Sequence, residues 1–387
     1  MLPTQSSGAG KFSDLDLSRL PSPCFVIDEI KLTENLQILK DIATATDAKI
    51  LLALKAFSMW SLAPLINDYL AGCCASGLWE AHLAKKYFSG ELSCFAPAFK
   101  PSEIEDIAAL SSHLVFNNLS QHATFADVAH KQGAETGLRV NPQHSEGQTA
   151  KYDPSMTGSR LGQPLDQLMQ LDLPKINGLH LHNLCEQGFD PLARTVAAIE
   201  PYLSAHKGRF QWLNLGGGHM LTQPDYNTEA LIALLKRLSS DYAAQIYLEP
   251  GTAIAFDAGI LVGEVLDVTD NDGPIAILDI SATCHMPDVL EAPYRPAMLN
   301  EASEDGVNVT LGGPSCLAGD VIGTYTFPDM PERGQRLAFL DQAHYSMVKT
   351  TTFNGMRMPS IAIWNSQTDT LKLVREFNFS DFERRLS

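Results

Sequence analysis

Residues 49–57 read KILLALKAF: five consecutive apolar residues, Ile50 to Leu54, that run into Lys55. An unbroken apolar run of this kind suits a strand buried on both faces, as in a parallel sheet. A lysine at its end is either a solvated terminus or a reactive amine. Lysine is rarely buried without a partner, so the first reading leads until the rest of the chain is weighed.

Outward from this run the pattern repeats. Strand-like stretches follow at AGCCAS (71–76), LSCFAP (92–97), HLVFNN (113–118), TGLRVN (136–141), INGLHLHN (176–183), QWLNLGGG (211–218) and QIYLEPG (245–251), making eight with the first. Helix-like segments such as LWEAHLAKKYF, SEIEDIAALSS and YNTEALIALLKRLSSDY lie between them. Eight strands alternating with helices predict a (β/α)8 TIM-type barrel, with a doubly wound sheet as the alternative. The strand ends favour the barrel. At or just past them stand Lys55, Ser76, Ala98, Asn118, Arg139 with Asn141, His182 with Asn183, Gly216 to Gly218, and Glu249. Nearly all are polar or glycine after an apolar stem, and the C-terminal face of a barrel carries its chemistry.

Beyond Gly251 the helices disappear from the pattern. GILVGEVLDV (259–268), PIAILDI (274–280), DVIGTYTF (320–327), RLAFLD (336–341) and SIAIWN (360–365) read as a C-terminal all-β domain. The expected organisation is an N-terminal segment over 1–34, whose strand CFVID (24–28) pairs with the β domain, a cofactor-binding barrel over 35–255 and the β domain over 256–387. Leu32, Leu36, Leu39 and Ile42 mark an amphipathic helix after CFVID, and the polar stretch 141–160 suits an active-site loop or flap.

A chain of 387 residues has room for a barrel of about 250 residues plus a second domain. Its net charge of −17 disfavours nucleic acid and anionic membranes and is compatible with a cationic substrate. No apolar run is long enough to span a bilayer, and the N-terminus lacks the apolar core of a signal peptide. Seven cysteines without a CxxC pair argue against a disulfide framework and a zinc site, so a reducing, cytoplasmic location is expected.

Gly216, Gly217 and Gly218 serve either a tight turn or a phosphate cradle built from backbone N–H groups. Glu249 is either a structural ion-pair partner or the carboxylate that holds a protonated pyridine nitrogen. His182 is either a core histidine or a ring lying flat on a planar cofactor. A lysine amine, a glycine cradle, a carboxylate and an imidazole on one rim are together what pyridoxal phosphate needs. In the β domain, GGPSCLAGD (312–320) places Cys316 in a glycine-rich turn, where its thiol is expected to be exposed. DQAHYSMVKTTTFNG (341–355) offers Tyr345 as a phosphate donor or a core filler.

ALKA, HLHN, LGGG, EPG, GPSC, HY and TFNG occur in this order over most of the chain. In these motifs the sequence resembles the fold-type-III, alanine racemase-like pyridoxal phosphate-dependent decarboxylases, a family that includes ornithine, arginine and diaminopimelate decarboxylases. The longer strings HNLCE (182–186), SATCHMPDVLEAPYRP (281–296) and GGPSCLAGD resemble the subgroup acting on carboxynorspermidine and carboxyspermidine.

The resemblance implies a head-to-tail homodimer with shared active sites. It makes Lys55 the Schiff-base lysine and His182 the residue stacked on the pyridine ring. Glu249 becomes the partner of the pyridine nitrogen, and Gly216, Gly217, Gly218 and Tyr345 the phosphate ligands. Cys316 becomes the proton donor supplied by the partner subunit. Arg139 is read as a cofactor contact and Arg160 as a substrate contact. No metal is expected.

Two positions depart from the ornithine-type pattern. Thr252 stands where those enzymes have a phosphate-binding arginine, and Leu317 where they have an acidic residue that reads the far end of the substrate. Asp320, His285, Asp288 and Glu291 are therefore expected to receive a longer cationic chain, that of a carboxylated polyamine. The alternatives are a diaminopimelate, ornithine or arginine type of decarboxylase, a racemase of the same fold, which would usually lack the GPSC cysteine, and a non-catalytic relative, which should have lost Lys55, His182, Glu249 and Cys316 first.

Overall fold

The computed structural model describes residues 6–147, 149–169, 174–302 and 305–387. Residues 1–5 of the N-terminal segment and residue 148 of the polar loop lie outside the described residues. The chain forms two compact units: Asn35–Ile254, and the N-terminal segment up to Glu34 together with Ala255–Ser387.

After β1 (Cys24–Asp28), which belongs to the second unit, the barrel strands are β2 (Lys49–Ala53), β3 (Gly72–Ala75), β4 (Glu91–Phe95), β5 (His113–Phe116) and β6 (Glu135–Asn141). A two-residue strand β7 (Gln163–Pro164) sits outside the ring on β6, and β8 (Gly178–Leu181), β9 (Trp212–Asn214) and β10 (Gln245–Leu248) complete it. Every neighbouring pair is parallel, and β10 pairs with β2 as β5 pairs with β6, so the eight strands close into an α/β barrel. Closure removes the free edges that a doubly wound sheet would keep.

Ile50 to Leu54 are all buried, as a strand covered on both faces requires. Inside the barrel Leu51, Val115, Trp212 and Tyr247 form one apolar cluster. The Trp212 indole occupies room left by two residues without side chains, since a Cβ on Gly137 or Gly178 would collide with its ring. The interior is thus a filled core. Its N-terminal floor is laced with polar pairs: Lys49 with Glu91, the Tyr247 hydroxyl donating to Glu91 at 2.8 Å, and Trp212 Nε1 donating to Glu135 at 2.8 Å. His113 lies stacked on Trp212 with centroids 4.7 Å apart, its Nε2 3.6 Å from Glu135.

The second unit is a sheet in the order β14 (Val321–Phe327), β13 (Val307–Gly312), β12 (Pro274–Leu278), β11 (Gly259–Asp270), β1, β16 (Ser360–Asn365), β17 (Thr370–Arg375), with β15 (Arg336–Leu340) also on β11. β1 lies antiparallel to β11 and parallel to β16. Val26, Ile260, Val262, Ala338, Leu340 and Trp364 form its core with Phe12, Leu15 and Leu20 from the turns before β1. Burial of each large apolar side chain stabilises by about 1.5–3 kcal/mol.

Two strands of this sheet, β13 and β17, and the two-residue β7 are absent from the sequence reading. β17 is an edge strand with four of its six residues exposed, so it carries no apolar signal. Among the described residues no helix is long and apolar enough to cross a membrane.

Candidate active site

β2 ends at Ala53, and a turn closed by Ala56 N–H donating to the Ala53 carbonyl at 3.0 Å puts Lys55 at the C-terminal mouth of the barrel. The residue reaches solvent, with protein crowded about its amine. Crowding by protein lowers the amine below the ordinary lysine range, with the Arg139 guanidinium pushing the same way and Glu249 pulling back. Lys55 Nζ lies 3.3 Å from His182 Nε2.

His182 follows β8 directly. Its Nδ1 accepts the Gly217 amide proton at 3.0 Å, and burial, followed by the charges of Lys55 and Arg139, drives its pKa well below the usual histidine value. A neutral imidazole that accepts at Nδ1 carries its proton on Nε2. That nitrogen faces Lys55 Nζ.

Glu249 follows β10 and is buried. Its Oε1 accepts from Asn214 Nδ2 at 2.7 Å and its Oε2 lies 3.1 Å from His180 Nε2. Burial alone would raise the carboxyl, but the charge and hydrogen bond of His180, the hydrogen bond from Asn214 and the Lys55 charge outweigh it and hold the group at about 2. The carboxylate is ionised at neutral pH. His180, His182 and Glu249 place ligand atoms within 4.8 Å of one another, the spacing of a metal-binding set, but the direct His180–Glu249 contact uses two of those atoms on each other.

Arg139, on β6, is buried and lies with its guanidinium 4.5 Å from the Phe95 ring centroid. Its Nη2 donates to the His182 carbonyl at 2.6 Å. Burial lowers it to about 10, so it stays charged at neutral pH. This cation braces the His182 backbone.

Arg160 is exposed, close enough to oppose the Arg139 charge, and its carbonyl accepts from Asn117 Nδ2 at 2.9 Å. The polar loop that carries it is strapped down by Glu146, whose carboxylate accepts from Arg194 Nε and Nη2 at 2.7 and 2.8 Å.

The glycine run differs from the sequence reading. Gly216 N–H donates to Asn214 Oδ1 at 2.8 Å and Gly217 N–H to His182 Nδ1, so two of the three amides serve the barrel's own residues. Among the described residues only the Gly218 amide of the three makes no such bond. Gly216 and Gly218 have φ of 68° and 84°, which glycine adopts without strain. A Cβ on Gly217 would strike the Glu249 carbonyl. The run is a tight turn closed on Asn214 and His182.

In the second unit Cys316 is exposed on the turn between β13 and β14, its N–H donating to Asn354 Oδ1 at 2.9 Å. Asp320, offered to a substrate amine by the sequence reading, is instead turned inward. It is 3% exposed and accepts from the Ser281 hydroxyl at 2.8 Å, the Ser315 hydroxyl at 2.5 Å and the Thr283 amide at 3.2 Å. A buried carboxylate needs such donors, and these pin the Cys316 turn.

His285 is likewise buried. Its Nδ1 accepts from the Ser281 amide at 3.1 Å, and burial lowers it to about 4. Asp288 and Glu291 lie on one short helix, Asp288–Glu291, and share Lys349, the second at 3.7 Å. Tyr345 opens the helix Tyr345–Val348 and is half-buried.

His180, Asn214, Asn354 and Lys349 escaped the sequence reading. His180 had a usable signal: it stands two residues before His182, and residues two apart leave one side of a strand together.

A family model described as "Pyridoxal-dependent decarboxylase, C-terminal sheet domain" matches residues 24–343. The chain belongs to the pyridoxal-dependent decarboxylases. This decarboxylase is 39% identical over 380 residues to the carboxynorspermidine/carboxyspermidine decarboxylase of Campylobacter jejuni, covering 95% of this chain and 99% of that one. It is 40% identical over 375 residues to the carboxyaminopropylagmatine decarboxylase of a Synechocystis species, covering 96% of each. The crystal structure of the Campylobacter jejuni carboxynorspermidine decarboxylase complexed with norspermidine superposes with a TM-score of 0.87 at 38% identity, over 95% of this chain and 100% of that one.

The family's cofactor is pyridoxal phosphate, and the mouth of this barrel fits it. An amine, an imidazole 3.3 Å from it and an ionised carboxylate with a donor on each oxygen stand together at the strand ends.

Proposed function

We propose that this decarboxylase removes the α-carboxylate of a carboxylated polyamine, carboxynorspermidine or carboxyspermidine, to leave norspermidine or spermidine. The observation that carries the reading is end-to-end similarity to the Campylobacter jejuni enzyme, together with the norspermidine held by its crystal structure.

When bound, the cofactor supplies an electron sink for the pair released as carbon dioxide leaves. Lys55 is the amine that would hold the cofactor. Glu249, ionised and buried, would keep a proton on the pyridine nitrogen. His182 would lie against the ring, its own position fixed from one side by the Gly217 amide and from the other by Arg139. Gly218, with Tyr345, is the reading for phosphate, and Thr252 offers a hydroxyl there without an arginine's charge. Cys316 returns a proton to the reacting carbon.

We assign Cys316 to the partner subunit of a head-to-tail homodimer. Mixing inactive Lys55→Ala and Cys316→Ala chains should then restore about a quarter of wild-type activity, because random pairing leaves one intact site in half of the dimers. No recovery after verified subunit exchange places both residues in one chain's own site. A cytoplasmic setting is supported by seven cysteines, none of which forms a disulfide among the described residues.

For the substrate's amines, Asp288 and Glu291 are the proposed anions, and Lys349 is the resident cation an ammonium would replace. Asp320 and His285 act behind them by holding the turn. Arg160 is the proposed contact for the substrate carboxylate.

A second reading has its own support in the 40% identity to the carboxyaminopropylagmatine enzyme. Its substrate ends in a guanidinium where the polyamine acids end in an amine. Side-by-side kcat/KM measurements on carboxynorspermidine, carboxyspermidine, carboxyaminopropylagmatine and meso-diaminopimelate decide between them. A preference for the guanidino compound transfers the assignment, and a preference for meso-diaminopimelate removes the polyamine reading and leaves the cofactor standing.

A further inference from the structure

His180, on β8, reaches Glu249 two strands over, past β9. Its Nε2 is 3.1 Å from Glu249 Oε2, while Asn214, itself fixed by the Gly216 amide, holds Oε1. The ring is 2% exposed, and Nδ1 is buried without a hydrogen-bond partner among the described residues. Protonating Nδ1 would create a buried donor with nothing to receive it, at a cost of about 1–3 kcal/mol. Burial and the nearby Arg139 and Lys55 charges oppose protonation as well, while Glu249 favours it. The single proton of a neutral ring therefore sits on Nε2 and points at the carboxylate. Phe95 packs against the ring with centroids 5.5 Å apart, which limits its rotation.

A neutral donor and a cationic donor do different things to a carboxylate. A lysine or arginine in this place would cancel the charge that a pyridinium needs opposite it. An imidazole N–H fixes the direction of one oxygen and leaves the charge whole. The pair of donors, His180 on Oε2 and Asn214 on Oε1, sets the plane of the carboxylate.

We propose that His180 is a positioning residue of this decarboxylase: as a neutral Nε2–H donor it aims the Glu249 carboxylate at the cofactor's pyridine nitrogen without neutralising it. The proposal rests on the family's cofactor and is independent of which polyamine acid is the substrate.

The test compares His180→Gln, which keeps a neutral donor, with His180→Phe, which keeps a planar ring and loses the donor. In the cofactor-free protein, carbon-13 NMR of the Glu249 carboxyl reads its titration directly. Wild type is expected to titrate at about 2 and His180→Phe at least one unit higher. His180→Gln should fall between the two, since it keeps the hydrogen bond and lacks the charge that His180 adds at the low pH where Glu249 titrates. In the loaded enzyme, His180→Phe should weaken pyridoxal phosphate binding and lower kcat by about tenfold or more, the worth of one hydrogen bond to a charged group, with the substrate KM unchanged and His180→Gln largely restoring both.

The proposal is overturned by a folded His180→Phe protein with unchanged Glu249 titration and cofactor affinity. It is equally overturned if His180→Gln loses as much as His180→Phe, since the ring's shape would then be what counts. Should His180→Phe not fold, nitrogen-15 NMR of wild-type His180 decides: a proton on Nε2 alone at neutral pH supports the proposal, and one on Nδ1 sinks it.

Discussion

At the N-terminal ends of the barrel strands Lys49 meets Glu91, Tyr247 donates to the same carboxylate, and Trp212 and His113 face Glu135 around a polar bowl of about 750 Å³. At the C-terminal ends Lys55 meets a histidine, and the carboxylate Glu249 is supported from behind by His180 and Asn214. Both ends hold a lysine, a carboxylate and a histidine. On the floor Lys49 and Glu91 carry opposite charges in contact, so they satisfy one another. At the mouth the amine faces a neutral imidazole and the anion faces neutral donors, so each keeps a reactivity that a partner of opposite charge would quench. Residue type says little about chemistry here; the pairing decides it.

The largest difference between the ends should appear on removing their lysines. Lys55→Ala should lower decarboxylation by several orders of magnitude and abolish the visible absorbance of bound cofactor, with little loss of stability. Lys49→Ala should leave kcat near wild type and lower stability by about 1 kcal/mol. A Lys49→Ala enzyme as inactive as Lys55→Ala would erase the distinction.

The carboxylates should separate next. Glu249→Gln is expected to lower kcat by about a hundredfold or more, because a neutral amide no longer holds charge opposite the pyridine nitrogen. Glu91→Gln should show only in a thermal melt. Equal kcat losses for the two variants would mean that the floor reaches the chemistry.

Trp212→Ala sharpens the comparison from inside. It empties the space framed by Gly137 and Gly178, and by analogy with large-to-small core changes should cost about 3–5 kcal/mol. Urea unfolding measures this, and a loss under 1 kcal/mol would show that the barrel core collapses around the vacancy.

The smallest effect is a pH slope. His219 in the barrel and His285 in the other unit are both buried and lowered to about 4. Their folded values lie below the unfolded value of about 6.5, so the unfolded chain binds protons that the native chain refuses. Stability is full above pH 6.5 and falls as pH drops from there toward 4, by roughly 3 kcal/mol per histidine at most. The Glu249 contribution goes only below that, between the ordinary carboxyl value and about 2. A melting temperature that stays flat from pH 7 to pH 4.5 would contradict the burial of both rings.

Much of this was readable without coordinates. The eight barrel strands announce themselves because parallel strands covered on both faces must be apolar throughout, and Lys55, His182 and Glu249 stand out because each interrupts such a run at its end. His180 stands inside a run, where a core histidine looks the same as a working one. Asp320 and Asp288 are both acidic residues of the second unit, and no local pattern tells that one is folded inward on Ser281 and Ser315 while the other meets Lys349. β17 was invisible for a simpler reason: an exposed edge has no buried face to write into the sequence.

The tryptophans of this chain make it self-reporting. Trp60 and Trp79 are 47% and 89% exposed, whereas Trp212 lies at the heart of the barrel and Trp364 in the core of the β unit, 2% and 1% exposed. An aqueous quencher such as acrylamide should silence the first two and leave one shielded fluorophore in each unit. Trp212, stacked on His113, should brighten or dim with that ring's protonation, while Trp364, against Phe12, has no titrating neighbour in its stack. Loss of shielded emission during denaturation, followed in Trp212→Phe and Trp364→Phe chains, would time the opening of the barrel and of the sheet separately, with no label attached.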